Sequence, residues 1–61
     1  MKYTEMHKII RDNGWVELTG RGKGGHRVYT KDGVNYTVPY HGAKEVWDPF
    51  RKKVFKEMGI L

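Results

Sequence analysis

Asp32-Gly33 constrains this chain more than any other pair of residues. A two-residue link with positive φ at both positions joins adjacent antiparallel strands and little else, and Asp-Gly is among the pairs that tolerate it. β-prone runs flank it, Arg27 to Lys31 on one side and Val34 to Pro39 on the other. Counting outward from the turn sets the register. Lys31 faces Val34, Tyr29 faces Tyr36 and Arg27 faces Val38, on a side rich in apolar groups and predicted to lie under helices. His26, Val28, Thr30, Asn35 and Thr37 fall on the other, open side. Pro39 has no N–H for a ladder and marks a strand end or an edge.

The rest of the chain supplies one more strand and two helices. Trp15 to Thr19 alternates and reads as the first strand. Thr19 to Gly25 holds four glycines in seven residues and reads as a loop. Ahead of these, Thr4 is placed to cap a helix from Glu5 to about Asn13, with Met6, Ile9 and Ile10 as its buried stripe. His7 falls off that stripe and is expected in solvent. Gly14 stands where a left-handed residue ends the helix. Tyr40 to Val46 is a loop. Asp48 caps a second helix with Pro49 in its first turn. Phe50, Val54, Phe55 and Met58 face inward, Arg51, Lys52 and Lys56 face outward, and Gly59 stops it. The order α-β-β-β-α predicts a single α+β domain over residues 1–61, a three-stranded antiparallel meander with both helices on one face.

Composition removes whole classes of function. No cysteine is present, so disulfides, thiolate nucleophiles and the usual structural zinc sites are out. No apolar run approaches the ~18 residues of a membrane span, and residues 1–20 lack a secretory pattern, which predicts a cytoplasmic protein without membrane attachment. The net charge of +5 is concentrated. Arg21, Lys23, Arg27 and Lys31 fall within residues 21–31, where there is no acidic residue. Such a patch is the footprint of a polyanion site, or else ordinary solubility charge.

Gly20, Gly22 and Gly25 spell G-x-G-x-x-G, but a dinucleotide site needs a following helix inside a βαβ unit, and here a strand follows. What remains is backbone able to approach a phosphate closely, with Arg21, Lys23 and Arg27 around it; the alternative is a merely flexible connection. His7, His26 and His41 show no compact metal-ligand spacing, and neither metal nor cofactor is expected. There is no serine to build a nucleophilic triad. A histidine acting on a substrate that brings its own nucleophile fits better. RNA does so, its 2′-hydroxyl attacking the adjacent phosphorus once a base takes the proton. His26, beside three cations, is the candidate for that proton transfer; the alternative is a strand-end histidine that packs or contacts RNA.

Lys23-Gly24-Gly25-His26 with the strand after it, Val38-Pro39-Tyr40-His41-Gly42, and a proline-opened helix ending in Met58-Gly59-Ile60 resemble the HicA toxin family of toxin–antitoxin modules. Asn13-Gly14-Trp15 resembles it too, and the likeness runs over essentially the whole chain. It implies a double-stranded-RNA-binding-domain-like fold and a toxin that cleaves mRNA, which with the residue reading above makes a metal-independent endoribonuclease. It also implies His26 as catalytic histidine and a HicB-like antitoxin that covers the active face. The family's usual serine before that histidine is Gly25 here. The family's second histidine segment maps onto His41-Gly42, for which we expect a structural or RNA-positioning role, the alternative being direct proton transfer. Arg21, Lys23, Gly24, Gly25, Arg27 and His41 complete the expected RNA-binding set, with Tyr40 as stacking surface. The free toxin is expected to be monomeric and to form a hetero-oligomer with its antitoxin. The alternative function is a non-catalytic RNA-binding module using Arg51, Lys52, Lys53 and Lys56 on the last helix; a domain that binds only protein is a third reading.

Overall fold

In the computed structural model, which describes residues 1–20 and 24–61, the chain runs α1 (Tyr3–Asp12), β1 (Val16–Glu17), β2 (His26–Lys31), β3 (Val34–Pro39) and α2 (Asp48–Glu57). The sheet is antiparallel in the order β1-β2-β3. Asp32 and Gly33 take φ of 50° and 80°, as the tight turn requires. The register is the predicted one, with Lys31 opposite Val34, Tyr29 opposite Tyr36 and Arg27 opposite Val38.

Both helices cover one face of the sheet, the arrangement of a double-stranded-RNA-binding-like domain. Met6 and Ile10 from α1, Tyr29 from β2, Val38 from β3, and Val54 and Phe55 from α2 form one buried cluster, which Trp15, Val46 and Met58 complete. Tyr36 ties β3 to α2 by donating its hydroxyl proton to the Glu57 carboxylate. Burial and that carboxylate push the Tyr36 phenol up to about 12. Among the described residues no helix is long and apolar enough to cross a membrane.

Three boundaries differ from the sequence reading. The first helix begins at Tyr3 with Lys2 as its cap, not at Glu5 with Thr4 as cap. The N–H groups of Tyr3 and Thr4 bond the carbonyls of Lys44 (3.0 Å) and Gly42 (3.1 Å), so the loop before α2 satisfies donors that a side-chain cap would otherwise take. The first strand is short because Trp15 turns into the core, its Nε1–H donating to the Met58 carbonyl at 3.2 Å. One further ladder bond, Leu18 N–H to Val28 O at 2.8 Å, prolongs the pairing. Asp48 is the first residue of α2 and Trp47 its cap, one position earlier than expected.

Two side chains also depart from their expected places. Arg51 lies along the surface near Asp48, its side chain 18% exposed, rather than facing fully outward. His7 is buried, with 1% of its surface exposed. Tyr3, Met6, His7 and Ile10 follow the i, i+3, i+4, i+7 spacing of a helix face, and Tyr3 is half-buried on it. An imidazole can occupy that face because the sheet offers it two hydrogen-bond partners.

Candidate active site

The hairpin brings two separate segments to one end of the sheet. His26 opens β2 opposite Pro39, the last residue of β3, and is exposed. One residue further out, the Tyr40 N–H donates to the Gly25 carbonyl. A Cβ added to Gly25 would lie 3.3 Å from His41 Cε1 and 3.3 Å from the Tyr40 carbonyl oxygen. The glycine loop and the Tyr40-His41-Gly42 segment are therefore in contact, and Gly25 leaves room for the His41 ring. His41 is itself exposed and meets Tyr3 edge-on, with ring centroids 4.9 Å apart. Two open imidazoles thus stand on adjoining stretches of backbone.

Arg27 points to the helix-covered side, as its register requires. Its guanidinium carbon sits 3.9 Å over the Tyr40 ring, and its Nη1 is 3.5 Å from Glu17 Oε1. Tyr40 is half-buried beneath it, so this ring is less open as a stacking surface than the sequence suggests. Gly24 is exposed with φ of 56°, a left-handed conformation that a side chain would strain. Arg21 and Lys23, the other two predicted phosphate ligands, lie outside the described residues. Among the described residues, no three of His, Asp and Glu gather where a metal ion could be held.

Sequence reasoning missed the group beneath this surface. The His7 ring packs edge-on against Tyr40, centroids 5.0 Å apart. Its Nδ1 lies 2.6 Å from the Tyr29 hydroxyl and its Nε2 lies 2.7 Å from the Pro39 carbonyl oxygen. A carbonyl only accepts, so Nε2 carries the proton and Nδ1 accepts from Tyr29. Burial lowers the His7 pKa from its ordinary value, and the charges of Arg27 and Arg11 lower it further, against the opposing pull of the Pro39 bond. Burial likewise raises the Tyr29 phenol above its ordinary value, partly offset by Arg11. The signal available in the sequence was the spacing of His7 from Tyr3 and Ile10.

A concavity of about 300 Å³ lies at the opposite end of the sheet, between the hairpin turn and the end of α2. Trp15, Lys31, Val34 and Met58 line it, and none of the candidate residues does. The candidate residues lie at the other end, on an open surface.

Comparison with known proteins bears on the chain as a whole. The family model described as the HicA toxin of bacterial toxin–antitoxin systems matches residues 3–60. A protein of Pseudomonas fluorescens (strain Pf0-1) named "Probable mRNA interferase HicA" is 37% identical over 60 residues, covering 98% of this chain and 97% of its own length. No solved structure gives a significant match.

Proposed function

Since the chain belongs to the HicA toxin family of bacterial toxin–antitoxin systems, we propose that it is an endoribonuclease that cleaves mRNA, with His26 as general acid/base. The observation that carries this reading is the exposed His26 imidazole at the mouth of the glycine loop, with His41 on the segment alongside. The relative from Pseudomonas, named for the same activity, supports it. Residues 1–61 act as one domain.

The reaction asks the protein for a base, an acid and positive charge at the phosphate. A base removes the 2′-hydroxyl proton, and the freed oxygen bonds to phosphorus. The P–O5′ bond breaks, and an acid returns a proton to the leaving oxygen. The products are a 2′,3′-cyclic phosphate and a 5′-hydroxyl. His26 fills one of these proton roles, and a neutral imidazole serves as base while its protonated form serves as acid. Arg21, Lys23 and Arg27 hold the phosphate and spread its developing charge. Arg27, which turns to the other face of β2 from His26, does so from the strand end through its charge and through guanidinium N–H groups not directed at Glu17. Gly24 and Gly25 let the backbone close on the phosphate, and His41 positions the RNA. In the cell the toxin is cytoplasmic and monomeric when free. A HicB-like antitoxin covers the face, and complementary charge speeds that encounter.

The test is purified protein with end-labelled single-stranded RNA in EDTA. Fragments with cyclic-phosphate ends are expected, and His26→Ala should slow their appearance by roughly 10²–10⁴-fold with its circular dichroism spectrum unchanged. Equal rates for the two proteins would remove His26 from the mechanism. One observation favours a second reading, a non-catalytic RNA-binding module: Lys52, Lys53 and Lys56 are exposed on α2. That reading predicts a shifted RNA band and no fragments.

A further inference from the structure

β3 is an edge strand, and its last residue presents a bonding problem. Antiparallel pairs alternate between those that exchange hydrogen bonds and those that do not. The Tyr40 N–H bonds Gly25 O across the β2–β3 ladder, so the adjacent His26–Pro39 pair is one of the latter. The Pro39 carbonyl therefore points away from β2, off the edge of the sheet. Pro39 has no N–H of its own to lose there, which is why proline is tolerated. Its carbonyl, however, is part-buried beside α1, where a donor is needed.

His7 supplies that donor from the other layer, Nε2–H to Pro39 O at 2.7 Å. The arrangement is costly in an informative way. Burying an imidazole and a phenol forfeits their hydration, and a pair of phenylalanines at positions 7 and 29 would fill the same space without that loss. What phenylalanine cannot do is fix a carbonyl in one direction. The Tyr29 hydroxyl occupies Nδ1 and so keeps the proton on Nε2, where the Pro39 carbonyl takes it. The ring also abuts Tyr40, on which Arg27 stacks. One buried side chain thus touches both the strand end facing His26 and Tyr40, which supports Arg27 and begins the segment that carries His41.

We propose that His7 is a positioning residue for RNA cleavage: its bond to the Pro39 carbonyl holds the end of β3, which pairs with His26 and leads into the Tyr40-His41 segment beside Gly25. The proposal rests on the reading of the site as a ribonuclease. It concerns a residue that does not touch RNA and acts through the backbone it pins. Burial and the Pro39 carbonyl act most on the ring's charge, followed by Arg27 on β2, Arg11 on α1 and Glu17 on β1; Tyr29 bonds its Nδ1 and Tyr40 packs against its edge.

The experiment compares wild type, His7→Gln and His7→Phe in steady-state cleavage of the labelled RNA, with imidazole Hε1 resonances recorded by NMR. Glutamine keeps a donor for Pro39 O, and phenylalanine keeps only volume. His7→Phe should lose about tenfold or more in kcat with KM within about twofold, since ångström-scale displacement of reacting groups costs up to about 10²-fold. His7→Gln should stay within about threefold of wild type. A folded His7→Phe with wild-type kcat overturns the proposal, and so does His7→Gln as slow as His7→Phe. If His7→Phe does not fold, Tyr29→Phe takes its place. It releases the tautomer lock and should lower kcat about threefold or more; an unchanged kcat overturns the proposal. Should wild type itself release no cyclic-phosphate ends, the ribonuclease reading fails separately. The His41 resonance then decides: it should move in the phenylalanine variant and not in His7→Gln, and no movement overturns the positioning role.

Discussion

Lowering the pH should destabilise this protein through His7, and the structure sets the sign and the ceiling. In the unfolded chain the imidazole titrates near ~6.5. In the folded chain burial, Arg27 and Arg11 depress its pKa, and the buried ring is neutral. Between the two values the unfolded state binds a proton that the folded state refuses. Stability is therefore full above pH ~6.5, falls as the pH drops below it, and stops falling through this group once the folded pKa is passed. One proton limits the slope to about 1.4 kcal/mol per pH unit. A chain of 61 residues unfolds with an entropy at which 1 kcal/mol corresponds to roughly 8 °C of Tm. The ceiling is therefore about 11 °C per pH unit. The assay is a set of thermal melts by circular dichroism from pH 7.5 to 5, at constant ionic strength, on wild type and His7→Gln. Glutamine does not titrate, so the Tm difference between the two proteins isolates this imidazole from His26, His41 and the carboxylates. That difference should be constant above pH ~6.5 and shift against wild type below it. A difference that stays flat down to pH 5 would refute the reasoning.

Three further outcomes are expected. Ile10 is fully buried, and Ile10→Ala should cost about 2–5 kcal/mol; a domain of this size has only about 3–9 kcal/mol to lose, so the urea midpoint should fall by a large share of its wild-type value, and an unchanged midpoint would contradict the burial. At Gly25, where a Cβ would stand 3.3 Å from both His41 Cε1 and the Tyr40 oxygen, Gly25→Ser should displace the exposed His41 ring and shift its NMR resonance; a Tm change within about 8 °C is expected, and an unmoved resonance contradicts the contact. Binding of single-stranded RNA by the inactive His26→Ala variant should weaken with salt at a log–log slope near ~−3 if about four phosphates are held, and a flat response would separate RNA binding from the basic loop.

Local chemistry made much of the fold legible. Asp32-Gly33 stated the hairpin and its register, because only positive φ at both positions closes so short a link. Gly14 and Gly59 marked where the helices end, and both take the left-handed conformation there, at φ of 92° and 72°. Placing His26 on the open face followed from counting two residues at a time along β2. Cap residues were read less well. Thr4 and Asp48 are good caps by chemistry, but the donors at the start of α1 go to loop carbonyls 38 and more residues away, which no local pattern can announce.

Composition and spacing determined by themselves that this chain is a small αβββα domain with a cationic glycine loop ahead of one exposed histidine. The tertiary structure alone decided that the Tyr40-His41 segment comes to rest against Gly25, and that His7 belongs inside. Periodicity records which face of a helix turns inward, and imidazole is polar enough to be read as an outward residue. Whether it can be buried depends on a donor and an acceptor arriving from other strands, Tyr29 at 2.6 Å and Pro39 at 2.7 Å, and those partners exist only once the layers have packed.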